Sequence, residues 1–213
     1  MPCPASRWPP SVRMAALPAA AGSETDVSEA KPRIGVLAVQ GGFQRHLEHL
    51  EQVGAEPVEV RLPDQLDGLD GLILPGGEST TIVMGIENAG LAPAIRAHHE
   101  AGHPILGTCA GMIVAGREHL GLIDITTKRN AFGRQLASFE DDIEVDGIID
   151  GTIRAVFIRA PWVESTGNEV KVLAEVRDHP VAVSQNNVTA ISFHPELTPD
   201  NRIHRWFTHV CSS

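Results

Sequence analysis

The chain has 213 residues, 42% hydrophobic and 21% charged, enough to build a sizeable core and too apolar for a chain disordered throughout. Lys and Arg number 17 against 27 Asp and Glu, and the formal charge of −10 argues against a nucleic-acid binder, whose affinity comes from neutralising phosphates. No uninterrupted apolar run reaches the roughly 18 residues of a membrane span, and Cys3, Cys109 and Cys211 form no C-x-x-C pair. The expectation is a soluble protein of a reducing, cytosolic compartment, without a disulfide framework, a structural zinc or any membrane partner.

Residues 1–30 are rich in Ala, Pro and Ser and show no helical or strand periodicity, so a disordered tail is expected there. Arg7 and Arg13 precede a short apolar run, which admits a processed targeting segment, but Pro18 interrupts that run. An over-long start, with Met14 as an internal initiator, is the other alternative. From residue 31 onward no linker divides the chain, and one domain over 31–213 is expected.

A strand–helix rhythm begins with the apolar run Ile34 to Val39, bounded by Gly41 and Gly42, which suits a strand buried on both faces. Phe43 to Val53 carries apolar residues at helical spacing, with His46 and His49 read as its solvent face. Val58 and Val60 mark a short strand, and Leu72 to Leu74 another that stops at Pro75-Gly76-Gly77. Helices are predicted over 79–86 and 91–101, a strand over 104–107 and a helix over 110–115. Strands alternating with helices imply parallel crossover units in an α/β layered domain. The second half has shorter alternating runs at 139–145, 153–158, 170–176, 181–183 and 188–193, with a hairpin turn predicted at Asn186-Asn187. A last helix is predicted over 203–210.

Chemistry concentrates in three segments. Cys109 lies between an apolar strand and an apolar helix with Gly107 and Gly111 on either side, where glycines permit the sharp bend of a nucleophile elbow. A helix start also favours a thiolate, although this segment alone equally fits a buried structural cysteine. Near the C-terminus stands His194-Pro195-Glu196. In an extended segment residues two apart share a face, so Glu196 can orient His194 and stabilise the imidazolium it forms on taking a proton. Cys109, His194 and Glu196 together make a nucleophile, a base and an orienter. The third segment, Leu74 to Thr80, supplies unblocked backbone N–H groups suited to an oxyanion, or else is a plain turn capped by Ser79. Neither it nor Gly41-Gly42 fits a phosphate loop or a dinucleotide fingerprint, so no cofactor is assigned. His98, His99 and His103 lie on a helix predicted to be exposed, without H-E-x-x-H order, and no metal site is assigned. Arg129, Arg134 and Arg159 are cations that could meet a substrate carboxylate.

Six motifs carry a resemblance that spans Ile34 to Val210: IGVLAVQG, LILPGGEST, GTCAGM, RNAFGRQ, VFIRAPWVE and SFHPELT. With them the chain resembles the class I glutamine amidotransferases, and more closely the branch that supplies ammonia to pyridoxal 5′-phosphate synthase. The resemblance implies a flavodoxin-like three-layer sandwich with a mostly parallel central sheet. It implies that Cys109 attacks the side-chain amide of L-glutamine, that His194 passes the proton to departing ammonia, and that Glu196 orients His194. Backbone N–H groups of Gly77 and Ala110 match the oxyanion-hole positions. Gly77, Glu78, Ser79, Arg129, Ile158 and Arg159 match glutamine-binding positions, and Gln40 matches the active-site rim near a synthase subunit in a large hetero-oligomer. One departure is the segment Val114 to Gly121, shorter than this family's pattern, which leaves open the packing behind Cys109 and the contact with the synthase; the alternatives are a glutaminase for another acceptor pathway and a non-catalytic regulatory subunit that keeps the fold.

Overall fold

The computed structural model describes residues 31–132 and 138–212. The tail expected over residues 1–30, and Arg134 with the end of its motif, lie outside the described residues.

Eleven strands and five helices follow one another through these residues. The first half runs β1 (Arg33–Leu37), α1 (Phe43–Gln52), β2 (Glu56–Val60), β3 (Gly71–Leu74), α2 (Ser79–Asn88), α3 (Leu91–Glu100), β4 (Ile105–Thr108) and α4 (Ala110–Ala115). The second runs β5 (Ile125–Lys128), β6 (Ser138–Glu144), β7 (Thr152–Ile158), β8 (Trp162–Thr166), β9 (Lys171–Val176), β10 (His179–Gln185), β11 (Val188–Ile191) and α5 (Arg202–Cys211). The central sheet has the order β2-β1-β3-β4-β11-β10-β9. Its first five strands are parallel, and β10 runs against both its neighbours.

Alternation along the central strands decides the layers. Leu72, Leu74 and Ile105 point into an apolar cluster with Ile82, Ile95 and Met112, so α2, α3 and α4 cover that face. Ile73, Leu106 and Ile191 point the other way, into a cluster with Leu47, Leu50, Ile203 and Phe207 of α1 and α5. Helices on both faces of a mostly parallel sheet make the expected three-layer sandwich. Gly111 lets α4 lie against β3, since a Cβ there would collide with the Leu74 carbonyl.

Two antiparallel ribbons, β5–β8 and β6–β7, stand beside the main sheet. Neither β5 nor β8 was expected from the sequence. The hairpin predicted at Asn186-Asn187 forms, with Asn186 at the left-handed φ of 51°. The short segment after α4 closes without opening the layer behind Cys109. Leu120 N–H donates to the Val114 carbonyl (3.0 Å), Leu122 N–H to that of Ala115 (2.9 Å), and all six residues of α4 are buried.

Candidate active site

Open parallel sheets bind ligands where the strand order reverses direction, beyond the carboxyl ends of the strands. Here that point lies between β1 and β3. The chain leaves β1 through Gln40-Gly41-Gly42 and β3 through Pro75-Gly76-Gly77, and Gly42 N–H donates to the Gly76 carbonyl at 3.0 Å. Gln40 Oε1 accepts from the Glu78 N–H at 2.9 Å. Glu78, not Ser79, caps α2, and its carboxylate accepts from the N–H groups of Thr80 and Thr81.

Cys109 follows β4 immediately and holds φ 47° and ψ −105°, a sparsely populated conformation costing of order 1–3 kcal/mol. The strain persists because Cys109 N–H is bonded to the Ile191 carbonyl (2.8 Å) and α4 begins at the next residue. This is the bend the flanking glycines predict. The side chain is buried, with Sγ 3.9 Å from the Ile158 carbonyl.

His194 arrives from β11, held by a backbone bond from its N–H to the Val156 carbonyl (2.9 Å). Its Nδ1 lies 2.7 Å from Glu196 Oε1, and the glutamate is 3% exposed. The two do not share the face of an extended strand, as the spacing predicts. Pro195 instead opens a 3-10 turn, Pro195–Leu197, where its fixed φ is at home, and the turn folds Glu196 back beneath the imidazole. Burial alone would lower the His194 pKa, but hydrogen bonds to Cys109 and Glu196 outweigh it and push it up to about 10. Burial alone would raise the Glu196 carboxyl, but the bond from His194 and the neighbouring imidazoles hold it below its ordinary value.

These groups border a cleft of about 340 Å³ lined by Gln40, Gly77, Glu78, Ser79, Cys109, Ala110, Arg129, Ile158, Arg159 and His194. Every site residue selected from the sequence and described by the structure is in that wall except Glu196, which stands behind His194. Ile113, Asn130 and Pro161 also line it and were not foreseen. Asn130 carried a usable signal, its place beside Arg129 in the RNAFGRQ motif. Arg129 Nη1 donates to Thr80 Oγ1 at 3.2 Å, and Arg159 holds a left-handed φ of 44°.

Three histidines depart from expectation. His46 and His49, read as the solvent face of α1, are 0% and 8% exposed, because α5 packs on that face and brings His204 against them. His98, read as exposed, is buried and stacks on His103 with ring centroids 4.6 Å apart.

A sulfur on a strained elbow, an imidazole facing it, a buried carboxylate behind and glycine-lined backbone in front define a cysteine amidohydrolase geometry on an α/β sandwich. The model of the SNO glutamine amidotransferase family matches residues 36–213, and the chain belongs to that family. Among curated relatives, a pyridoxal 5′-phosphate synthase subunit PdxT of Frankia alni is 50% identical over 191 residues, covering 85% of this chain and 96% of that one. A protein of the same name from Dehalococcoides mccartyi is 51% identical over 191 residues, covering 85% and 98%. Among solved structures, one described as a glutamine amidotransferase superposes with a TM-score of 0.79 at 45% identity, covering 84% of this chain and 99% of that one. PurLQS from Thermotoga maritima shares the fold at 22% identity, with a TM-score of 0.63 and coverage of 84% and 95%.

Proposed function

We propose that residues 31–213 form a glutaminase that hydrolyses L-glutamine to L-glutamate and ammonia and delivers the ammonia to a pyridoxal 5′-phosphate synthase subunit. The observation that carries this reading is the Cys109–His194–Glu196 constellation at the head of the cleft, with His194 Nδ1 2.7 Å from Glu196 Oε1. The names of the relatives support the acceptor.

The chemistry follows from the residues in hand. His194 takes the Cys109 proton, and the sulfur attacks the amide carbon of glutamine while the carbonyl π pair moves to oxygen. Backbone N–H groups of Gly77 and Ala110 receive that oxyanion. Ala110 is the first residue of α4, where a helix offers its N–H no intrahelical acceptor. His194 then gives its proton to the departing nitrogen, the carbon–nitrogen bond breaks, and ammonia leaves a γ-glutamyl thioester. Water, deprotonated by His194, attacks the thioester; the carbon–sulfur bond breaks and glutamate departs. Glu196 stays ionised and stabilises the imidazolium at each stage. Glu78, Ser79, Ile158 and the Arg129 and Arg159 cations hold the amino-acid end of glutamine. Gln40 stands at the rim, on the side facing the synthase.

Ammonia released to water would be protonated and lost as a nucleophile, so the reading requires a complex with the synthase. A cytosolic complex fits the described residues, in which no helix is long and apolar enough to cross a membrane. The test is reconstitution with a pyridoxal 5′-phosphate synthase subunit, following glutamate release and pyridoxal phosphate formation from glutamine. Cys109→Ala is expected to reduce both to background while synthesis from added ammonium persists. Glutamate release that survives the substitution would remove Cys109 from the nucleophile's place. Glutamate release without pyridoxal phosphate would point to another acceptor.

A further inference from the structure

Behind the triad lies a run of buried imidazoles that the chemistry above does not use. His46 Nε2 is 3.4 Å from Glu196 Oε2 and 3.3 Å from Thr108 Oγ1, and His46 Nδ1 is 2.9 Å from His204 Nε2. Both rings are 0% exposed, and the His204 ring stacks on His49 at 4.5 Å. Glu196 Oε2 is itself buried and makes no hydrogen bond among the described residues, and His46 Nε2 stands beside it at ion-pair range. Burial lowers the pKa of His46 to about 4 and that of His204 to about 2, so both rings are neutral at working pH.

A neutral imidazole carries one proton, and the geometry fixes which nitrogen holds it. Were the His46 proton on Nδ1, the Nε2 lone pair would face a buried carboxylate oxygen, two acceptors with nothing between them. The proton therefore sits on Nε2, is donated to Thr108 Oγ1, and faces Glu196 Oε2 as an electrostatic contact rather than a hydrogen bond. His46 Nδ1 must then accept from His204 Nε2–H. This leaves His204 Nδ1 as a bare lone pair, and it is buried without a partner among the described residues. An unpaired acceptor is the cheaper vacancy, since buried N–H groups without partners are rarer.

We propose that His46, with its tautomer set by His204, is a positioning residue that anchors the second oxygen of Glu196 and so holds the first on His194. The proposal rests on the glutaminase reading for its link to turnover. Glu196 reaches the site on a single 3-10 turn, and its carboxylate can rotate unless both oxygens are held. His46 is tied to α1, and through Thr108 to the strand end that carries Cys109. The charged and titratable groups around His46 are Glu196 and His194 from the turn after β11, His49 on α1 and His204 on α5.

The experiment compares wild type, His46→Leu, His46→Gln, His204→Leu and the double leucine variant, each in complex with the synthase subunit. The readouts are turnover on glutamine and the pH dependence of Cys109 alkylation by iodoacetamide. His46→Leu is expected to lower kcat by about tenfold to a hundredfold with KM little changed, the scale of losing an orienting contact one step behind a reacting group. Its alkylation limb should move to higher pH, because a misaligned Glu196 no longer holds the imidazolium that stabilises the thiolate. His46→Gln, which can present an N–H to Glu196, should recover most of the loss. The double variant should be no worse than His46→Leu, because the two rings act in series. A folded His46→Leu with wild-type kcat and an unmoved limb overturns the proposal. Nitrogen NMR of the wild-type rings decides it independently of any variant's folding: a proton on His46 Nε2 supports it, and one on Nδ1 overturns it. A wild-type complex that alkylates normally but releases no glutamate would defeat the glutaminase reading, while the ring NMR would still test the anchor.

Discussion

Gly76 shows how tightly the site is built around the His194 ring. A Cβ at this position would stand 2.5 Å from His194 Cε1, 2.9 Å from Nδ1 and 3.3 Å from Cys109 Cβ. The ring therefore rests on bare backbone, and any side chain there pushes it away from sulfur or carboxylate. Misplacing a reacting group by about 1 Å can cost on the order of 100-fold in rate. Gly76→Ala is expected to lose glutamine turnover on that scale while keeping the circular dichroism of the wild type. Full turnover in the alanine variant, measured in the synthase complex, would show that the ring is not held as described. The same residue-scale packing explains why Glu196 works as a carboxylate in the interior: burial opposes the charge, and the bond from His194 together with the two imidazoles that face it outweighs burial.

At the scale of elements, the first half of the fold was legible because its strands are apolar throughout and its turns are marked by glycine and proline. Leu72 to Leu74 ending at Pro75-Gly76-Gly77 admits few other readings. The strands β5 and β8 escaped because ITTK and WVEST are short, largely polar and paired only with each other. Their pairing is a long-range choice that local pattern does not encode. The cysteine elbow and the H-P-E segment were legible as chemistry, yet the spacing argument joined His194 to Glu196 by the wrong geometry. A proline beginning a 3-10 turn achieves what an extended strand was expected to do. The histidines of α1 are expected on the solvent face because they alternate with the apolar stripe, yet on a helix residues three and four apart lie on one face. His46 is one helical step of four from Leu50, and His49 shares the buried face with Leu47 and Leu50. The spacing placed them inward; only the partner helix α5, with His204, shows why a polar ring is tolerated there.

At the scale of the whole molecule, the buried histidines set the response to acid. In the unfolded chain His46, His98 and His204 take up protons near pH 6.5; folded, they resist to about 4, 4 and 2. Below about 6.5 the unfolded state thus binds more protons, and each ring removes up to about 1.4 kcal/mol of stability per pH unit until its folded pKa is reached. Glu196, with its lowered pKa, adds to the loss once the pH falls below its ordinary carboxylate range. His194 has the opposite sign: its raised pKa gives a stabilisation complete below about 6.5 and lost as the pH climbs toward 10. The urea midpoint is therefore expected to be greatest near neutrality and to fall steeply between about pH 6.5 and pH 4.5. A midpoint flat across that acid range would mean that these rings are hydrated or charged in the folded state. The same assembly of distant segments, residues 40–42, 75–80, 109–110, 158–159 and 194–196, builds the cleft of the proposed hydrolysis and the carboxylate behind it.

The most direct test of that claim is covalent labelling of the intact synthase complex with a diazoketone analogue of glutamine, followed by peptide mass spectrometry. The account predicts one adduct, on Cys109, formed with loss of dinitrogen, prevented by excess glutamine and strongly slowed in His194→Ala. A label on Cys3 or Cys211 instead, or an adduct on Cys109 that glutamine does not prevent, would contradict it.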